Sequence, residues 1–506
     1  MRRSHRQAML AATLLLVTAC GSTVQGSAQL GSARDQGLTA PVDSGLAPTG
    51  STTQPPAVPG GPIGDTGSPG FGPGTAPGGV GTGPGPGQGG APGPAGVVGP
   101  GITATTVYVG AGYSVDSGAG NAALGAAGAD PGDQRDYYNA VIADLNKRGG
   151  VLGRKMAPVY SEFQAASAQT VDQQRQVACE KWTVDNKVFA IFSLGDIHLE
   201  CARKAGALIT VGGAATGPVY ERYPNLIDPS GMRLERLGAF TVHGMHRQGW
   251  HRPSPEWPTG RIGLITWDAA DYRYGITHGY LPAMRSHGLK ETLPVRYVAV
   301  PQTANSISDA SAAVASAVLA FSNADIDHVF ILDGPAGIFS GTGLTFLFMQ
   351  NSKSQGYYPR YGLNTFNSPG NTDILPVDQQ HGMLAIDFDD DNPEADAGIK
   401  LNPQRERCFK IMRLEGLDVS TSSTQNTATG ICDSVWFVET VLRRAAAPTL
   451  AGAIRAAEGL GTSYRPPSTY GSRLGPGRHD GAYLIRASRF DDVCVCMKYV
   501  SKPYAP

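Results

Sequence analysis

The chain has 506 residues, 41% of them apolar and 16% charged, with a formal net charge of -1. That balance excludes nucleic acid as the main partner, because neutralising phosphates takes a surplus of clustered Lys and Arg. Residues 21–100 hold 24 of the 67 Gly and 14 of the 37 Pro with a single aromatic, Phe71. Such a stretch has too little apolar surface to offset the entropy of ordering, and the roughly 400 residues after it are too many for one core, which predicts two domains or lobes.

In chain order, residues 1–20 read as an export signal. Arg2, Arg3 and Arg6 give a basic start, and Ala8 to Val17 an apolar run too short to span a bilayer. No later segment is apolar for long enough either, so the chain is expected to be exported rather than threaded. Val17-Thr18-Ala19-Cys20 resembles the lipobox of bacterial lipoproteins, which would make Cys20 the acylated first residue; an ordinary secretory signal is the alternative. Residues 21–100 then form a tether with a coil reach of about 50 Å, since GPGTAPGGVGTGPGPGQGG keeps no collagen period.

From Thr106 apolar strands alternate with amphipathic helices. A strand over 106–112 is followed by a helix in which Tyr138, Val141, Ile142 and Leu145 share one face and which stops at Gly149-Gly150. Next come a strand at 155–160, a helix over 167–183, strand 188–193, a short helix near 198–204 and strand 207–212. A second series begins after Asn225-Leu226-Ile227-Asp228-Pro229, with helices at 232–249, 275–287, 306–322 and 342–355. Its strands fall at 261–266, 293–299, 328–332 and 361–364. Residues 380–506 add a strand at 383–388, two or three helices and a terminal strand pair. Two βαβ series predict an α/β fold of two parallel-sheet lobes with a ligand site in the cleft between them.

Setting Cys20 aside leaves six cysteines, an even number in an exported chain. The expected pairs are Cys179 with Cys201, on helices flanking one strand, and Cys408 with Cys432. Cys494 and Cys496 sit in a strand-like run and either bridge across a turn or pair elsewhere.

Asp144-Leu145-Asn146-Lys147-Arg148-Gly149-Gly150-Val151-Leu152-Gly153-Arg154-Lys155 resembles the helix-turn-strand signature of type I periplasmic binding proteins, in particular the branched-chain amino acid (Leu/Ile/Val) group. FAIFSLGD (189–196), ITVGGAATGP (209–218), the Tyr-containing turn after Thr266-Trp267-Asp268 and GPGRHDGAYLIRASRF (475–490) follow in the family's order, so the resemblance spans roughly 103–500. It implies two Rossmann-like lobes joined by three crossovers. Lobe 1 would be about 101–229 with 387–468, and lobe 2 about 230–386 with 469–506. By the same resemblance the chain would be an extracytoplasmic, lipid-anchored monomer on the bacterial cell membrane, without cofactor, metal or catalytic activity. It would capture a small polar ligand such as an amino acid or amide and deliver it to an ABC permease.

The family's ligand residues map onto an Ala-Ala-Thr turn, Ala214-Ala215-Thr216, where Thr216 would offer its hydroxyl and Ala214 its backbone to a carboxylate or sugar oxygen. The family's Ser position holds Asp196, which would repel a carboxylate and attract an amine. Tyr272 or Tyr274 would cover the ligand's apolar part. The position that holds the ammonium falls near Asn364-Thr365, where no carboxylate stands. Tyr113, Ser114 and Asp116, after the first strand, are placed by position alone.

Other motifs carry less. His243-x-x-His246 and His198-x-Glu200 have two-ligand metal spacing and read as solvent-facing, and Asp387, Asp389, Asp390, Asp391 and Asn392 read as a solvated turn without the pattern of a calcium loop. Gly337-Ile338-Phe339-Ser340-Gly341 has the wrong spacing for a nucleophile elbow, and GPGPGQGG follows no strand. The alternatives are a clamshell sensor without a permease and an exported α/β hydrolase, for which Asp196, His198 and Thr216 are the only nearby set.

Overall fold

The computed structural model describes residues 99–506 apart from 119–120, 122–129, 165–166, 193–195, 212, 340, 373, 390–401 and the Asp196 side chain. The signal 1–20, Cys20, nearly all of the tether, and Asp390, Asp391 and Asn392 lie outside the described residues.

The first sheet has the order β2-β1-β3-β4 and is parallel throughout, with β1 (Thr106–Ser114), β2 (Lys155–Phe163), β3 (Ala190–Phe192) and β4 (Leu208–Ile209). Helix α1 (Gln134–Lys147) starts where the Asp133 side chain accepts the N–H of Arg135. It ends where Gly149 and Gly150 take positive φ; a Cβ on Gly150 would lie 2.0 Å from the Arg154 carbonyl oxygen. The side-chain amide of Asn146 then donates to the Met156 carbonyl while its oxygen accepts the Met156 N–H, both at 2.9 Å, locking the helix end to β2. Hydrogen bonding of this kind is what the Asn-x-x-Gly-Gly spacing encodes. Helices α2 (Val171–Glu180) and α3 (Asp196–Ala205) cover the other face, where Trp182, Ile191, Leu199 and Ile209 form a smaller cluster of the same lobe. The short α4 (Gly217–Arg222) follows β4.

The second sheet runs β11-β10-β9-β8-β7-β5-β6, with β5 (Ile262–Trp267), β6 (Arg296–Val298), β7 (His328–Leu332), β8 (Arg360–Asn364) and β9 (Leu384–Asp387) parallel. The hairpin β10 (Arg486–Asp491) and β11 (Cys496–Tyr499) adds two antiparallel strands at the edge. Its helices are α5 (Leu234–Arg247), α6 (Ala270–Gly275) continued through a π-helical turn into α7 (Leu281–Ser286), α8 (Ile307–Asn323) and α9 (Gly343–Ser354).

After β9 the chain returns to the first lobe as α10 (Pro403–Leu414), α11 (Ser422–Arg444) and α12 (Leu450–Glu458), with α10 and α11 packing on α1. The core therefore changes three times along the chain: between Ile227 and Met232, between Phe388 and Cys408, and between Leu474 and Ala482. Two doubly wound lobes joined by three crossovers result.

Two expectations need correction. By length and composition Ala304–Asn323 is a helix apolar enough to cross a membrane. In the fold, however, Ala310, Val314, Ala317, Val318 and Phe321 form one buried face on the second core, the one built around the second sheet, which gives this apolar helix a place in a lobe. Asp387 is not in a solvated turn: it ends β9, is 1% exposed and accepts the Ser488 hydroxyl. Cys494 precedes β11 in the hairpin turn and is bonded to Cys496 across it. Cys179 on α2 is bonded to Cys201 on α3, and Cys408 on α10 to Cys432 on α11.

Candidate functional site

Two of the crossovers, and the segment that leads into the third, meet at a cavity of about 270 Å³. Thr210 and Val211 reach it from the end of β4, Asp228, Ser230 and Gly231 from the first crossover, and Phe388 and Asp389 from the second. Ser468 and Thr469 enter from the segment that leads into the third, Thr365, Phe366 and Ser368 from the turn after β8, and Asn426, Thr429 and Asp433 from α11. The strands contribute their carboxyl ends, where open parallel sheets bind ligands.

At the floor two carboxylates share one hydroxyl. Asp228 Oδ1 accepts the N–H groups of Ser230 (3.1 Å) and Gly231 (2.8 Å), and the Ser230 hydroxyl donates to Asp433 Oδ2. The Tyr464 hydroxyl donates to the other oxygen of Asp433. Burial pushes Asp433 up to about 7; the hydrogen bonds from Ser230 and Tyr464 oppose the shift, and the nearby charge of Asp228 adds to it. Behind the cavity lining, Asp333 follows β7 and is fully buried. It accepts the N–H groups of Gly334 and Thr345, the Thr345 hydroxyl and the Trp267 indole, which fixes the loop carrying Pro335 and Gly341 against the cavity.

Of the residues expected from sequence, Thr365 lines the cavity; its Oγ1 accepts the Phe388 N–H at 2.8 Å. Asn364 is fully buried, donates to the Tyr280 hydroxyl and caps the following turn. Ala214 packs into the second core, and the Thr216 hydroxyl donates across the lobes to Asp271 Oδ1 at 2.8 Å. Tyr272 is 3% exposed with its hydroxyl on the Pro335 carbonyl, and Tyr274 stacks on His278. Tyr113 donates to Glu162 under the Arg135 guanidinium, and the Ser114 hydroxyl donates to Asp116. Asp196 begins α3, and its side chain is outside the described residues.

The sequence reading missed Asp228, Ser230 and Asp433. A signal existed for Asp433, which stands alone in the apolar run of α11 between Ile431-Cys432 and Val435-Trp436-Phe437.

Of the histidines in the two metal-spaced pairs, His198 is not solvent-facing, and His243 and His246 are half-buried. His198 is fully buried, with its ring 5.1 Å from that of Trp182 and 6.0 Å from that of Phe163, so it does not join Thr216. His246 stacks between His251 (4.7 Å) and His287 (3.8 Å), and His243 Nδ1 lies 2.7 Å from His287 Nε2. Among the described residues no three His, Cys, Asp or Glu side chains are arranged to hold a metal ion.

No protein-family model and no curated protein sequence matches the chain. Solved structures do. A branched-chain amino acid ABC transporter protein from Thermus thermophilus with bound valine matches with a TM-score of 0.58 at 12% identity, over 79% of this chain and 97% of that one. A solute-binding protein of an ABC transporter from Rhodopseudomonas palustris in complex with p-hydroxybenzoic acid gives 0.56 at 15%, over 79% and 97%. A fatty acid ABC transporter substrate-binding protein from Thermomonospora curvata gives 0.55 at 16%, over 81% and 94%. The chain thus has the fold of the type I periplasmic, ABC-transporter substrate-binding proteins.

Proposed function

We propose that this chain is an exported solute-binding protein that closes two lobes on a small polar molecule and hands it to an ABC permease. The observation that carries the reading is the cavity lined by both lobes, by two of the crossovers and by the segment that leads into the third: a solute there touches both lobes and these connections at once, so its binding energy acts directly on lobe closure. The likeness to solved ABC substrate-binding proteins supports the same role, non-catalytic and extracytoplasmic. Lipidation at Cys20, with the Gly/Pro-rich segment as spacer, would keep the module at the bacterial membrane as a monomer beside its permease. Three disulfides suit an oxidising compartment.

Thermal melting of the purified chain against amino acids, amides, polyamines and sugars tests the reading. A cognate solute at one hundred times its dissociation constant adds about 2.7 kcal/mol of stability. If no small molecule raises the melting temperature while some substrate is turned over, the binding-protein reading fails.

A further inference from the structure

We infer that the hinge cavity takes an amine-bearing solute and is closed to simple carboxylates; this deepens the solute-binding reading and rests on it. Three sets of observations converge.

Two donors at the Ala-Ala-Thr turn, the Thr216 hydroxyl and the neighbouring Gly217 N–H, are already engaged by the chain itself. The Thr216 hydroxyl donates to Asp271 of α6, and the Gly217 N–H donates to Glu235 of α5 at 3.1 Å. A ligand carboxylate there would have to displace an internal carboxylate and then lie against it, which like charges oppose.

The free space carries the opposite chemistry. Asp228, Asp389 and Asp433 line it, and the described lining includes no Lys, Arg or His. Thr210 Oγ1 and Thr469 Oγ1 face it without a hydrogen-bond partner on residues only 3% and 2% exposed, and Asn426 Oδ1 is likewise unpartnered. Buried polar atoms without partners are costly; a ligand N–H satisfies the acceptor-only Asn426 Oδ1, and the two hydroxyls can accept from such a ligand as well as donate.

Phe366 and Phe388 supply the third element. Their rings meet edge to face at 5.8 Å, and both border the cavity beside the carboxylates. Carboxylates together with aromatic faces in a desolvated pocket recognise an ammonium through charge and cation–π attraction. A volume of about 270 Å³ restricts the solute to a small one.

Calorimetric titration of the full chain at pH 8 with ethanolamine, choline, putrescine and glucosamine, set against valine and 4-hydroxybenzoate, decides the matter. At least one amine should bind while both carboxylates give no saturable heat. Asp433→Asn should weaken that amine tenfold or more, and Thr210→Val, a near-isosteric change that spares the buried acid pair, several-fold. Amine binding that both variants leave within twofold overturns the inference. Binding of valine or 4-hydroxybenzoate that Thr216→Val abolishes overturns it too, yet leaves the solute-binding reading standing. No binding in either arm overturns the inference, and the wider solute screen above then decides the reading beneath it.

Discussion

Asp433 shows how a single carboxyl links the cavity to stability. It is buried on α11 between Ser230 and Tyr464, and burial raises it to about 7, against an ordinary value near 4. In the unfolded chain it ionises above pH 4, whereas in the fold it keeps its proton until about pH 7. The folded state therefore binds more protons across that window, and this group's contribution to stability falls as pH rises from about 4 to 7 and stays low beyond. Asp433→Asn keeps a hydrogen-bond acceptor for Tyr464 and cannot ionise. Denaturant unfolding should find the variant more stable than wild type at pH 8, by on the order of 3 kcal/mol, with the gain disappearing at pH 4. An equal difference at both pH values would show that Asp433 titrates normally. The ligand side of the same residue is harder to read from sequence. Asp228, Asp433 and Thr469 are separated by long stretches of chain and meet because a crossover, α11 and the segment leading into the third crossover converge, which no local spacing reveals. The turn at Ala214-Ala215-Thr216 was legible; its engagement by Asp271 and Glu235 from the other lobe was not.

At the scale of elements, local signals were strong and cross-element ones were silent. The helix stop at Gly149-Gly150, the alternation of apolar strand and amphipathic helix, and the return of the chain as α10 to α12 are written in period and glycine placement, and the helices and strands fall close to their expected positions. His243 and His246 were visible as an i, i+3 pair on α5. What sequence could not supply was that His251 from the following loop and His287 from the end of α7 stack onto them. Burial is the first cause holding His243, His246 and His251 below the ordinary imidazole value, with His251 down to about 4, and neighbouring positive charge adds to it. The unfolded chain takes up these protons near pH 6.5 while the fold refuses them. Stability is therefore present above about pH 6.5 and lost as pH falls toward 4. Replacing His251 by Phe keeps the stacked ring and removes the titration. The melting temperature of His251→Phe should fall less between pH 7 and 4.5 than that of wild type, and identical pH profiles would sink the idea.

Over the whole molecule, two lobes with separate cores are joined by three strands of chain, and the disulfides are distributed unequally between them. Cys179–Cys201 and Cys408–Cys432 both tie helices of the first lobe, while Cys494–Cys496 closes a hairpin turn at the edge of the second. A cross-link restricts the unfolded chain more as its loop lengthens. The sequence separations of 22 and 24 are each worth about 3 kcal/mol, whereas a separation of 2 restricts little. Cores of this size, meeting at a polar cavity in the absence of ligand, should unfold as two transitions rather than one. Scanning calorimetry of a variant carrying Cys179→Ala, Cys201→Ala, Cys408→Ala and Cys432→Ala should show the first lobe's transition displaced downward by on the order of 10–20 °C. The second lobe's transition should hold its place, and the Cys494→Ala, Cys496→Ala variant should leave both transitions within a few degrees of wild type. A saturating solute bound in the cavity, against residues of both lobes, should draw the two transitions together, because it stabilises only the state in which both lobes are folded. If the four-alanine variant melts in one step, or if its second-lobe transition moves as far as the first, the lobes are energetically coupled without ligand and the hinge is stiffer than its three narrow connections suggest.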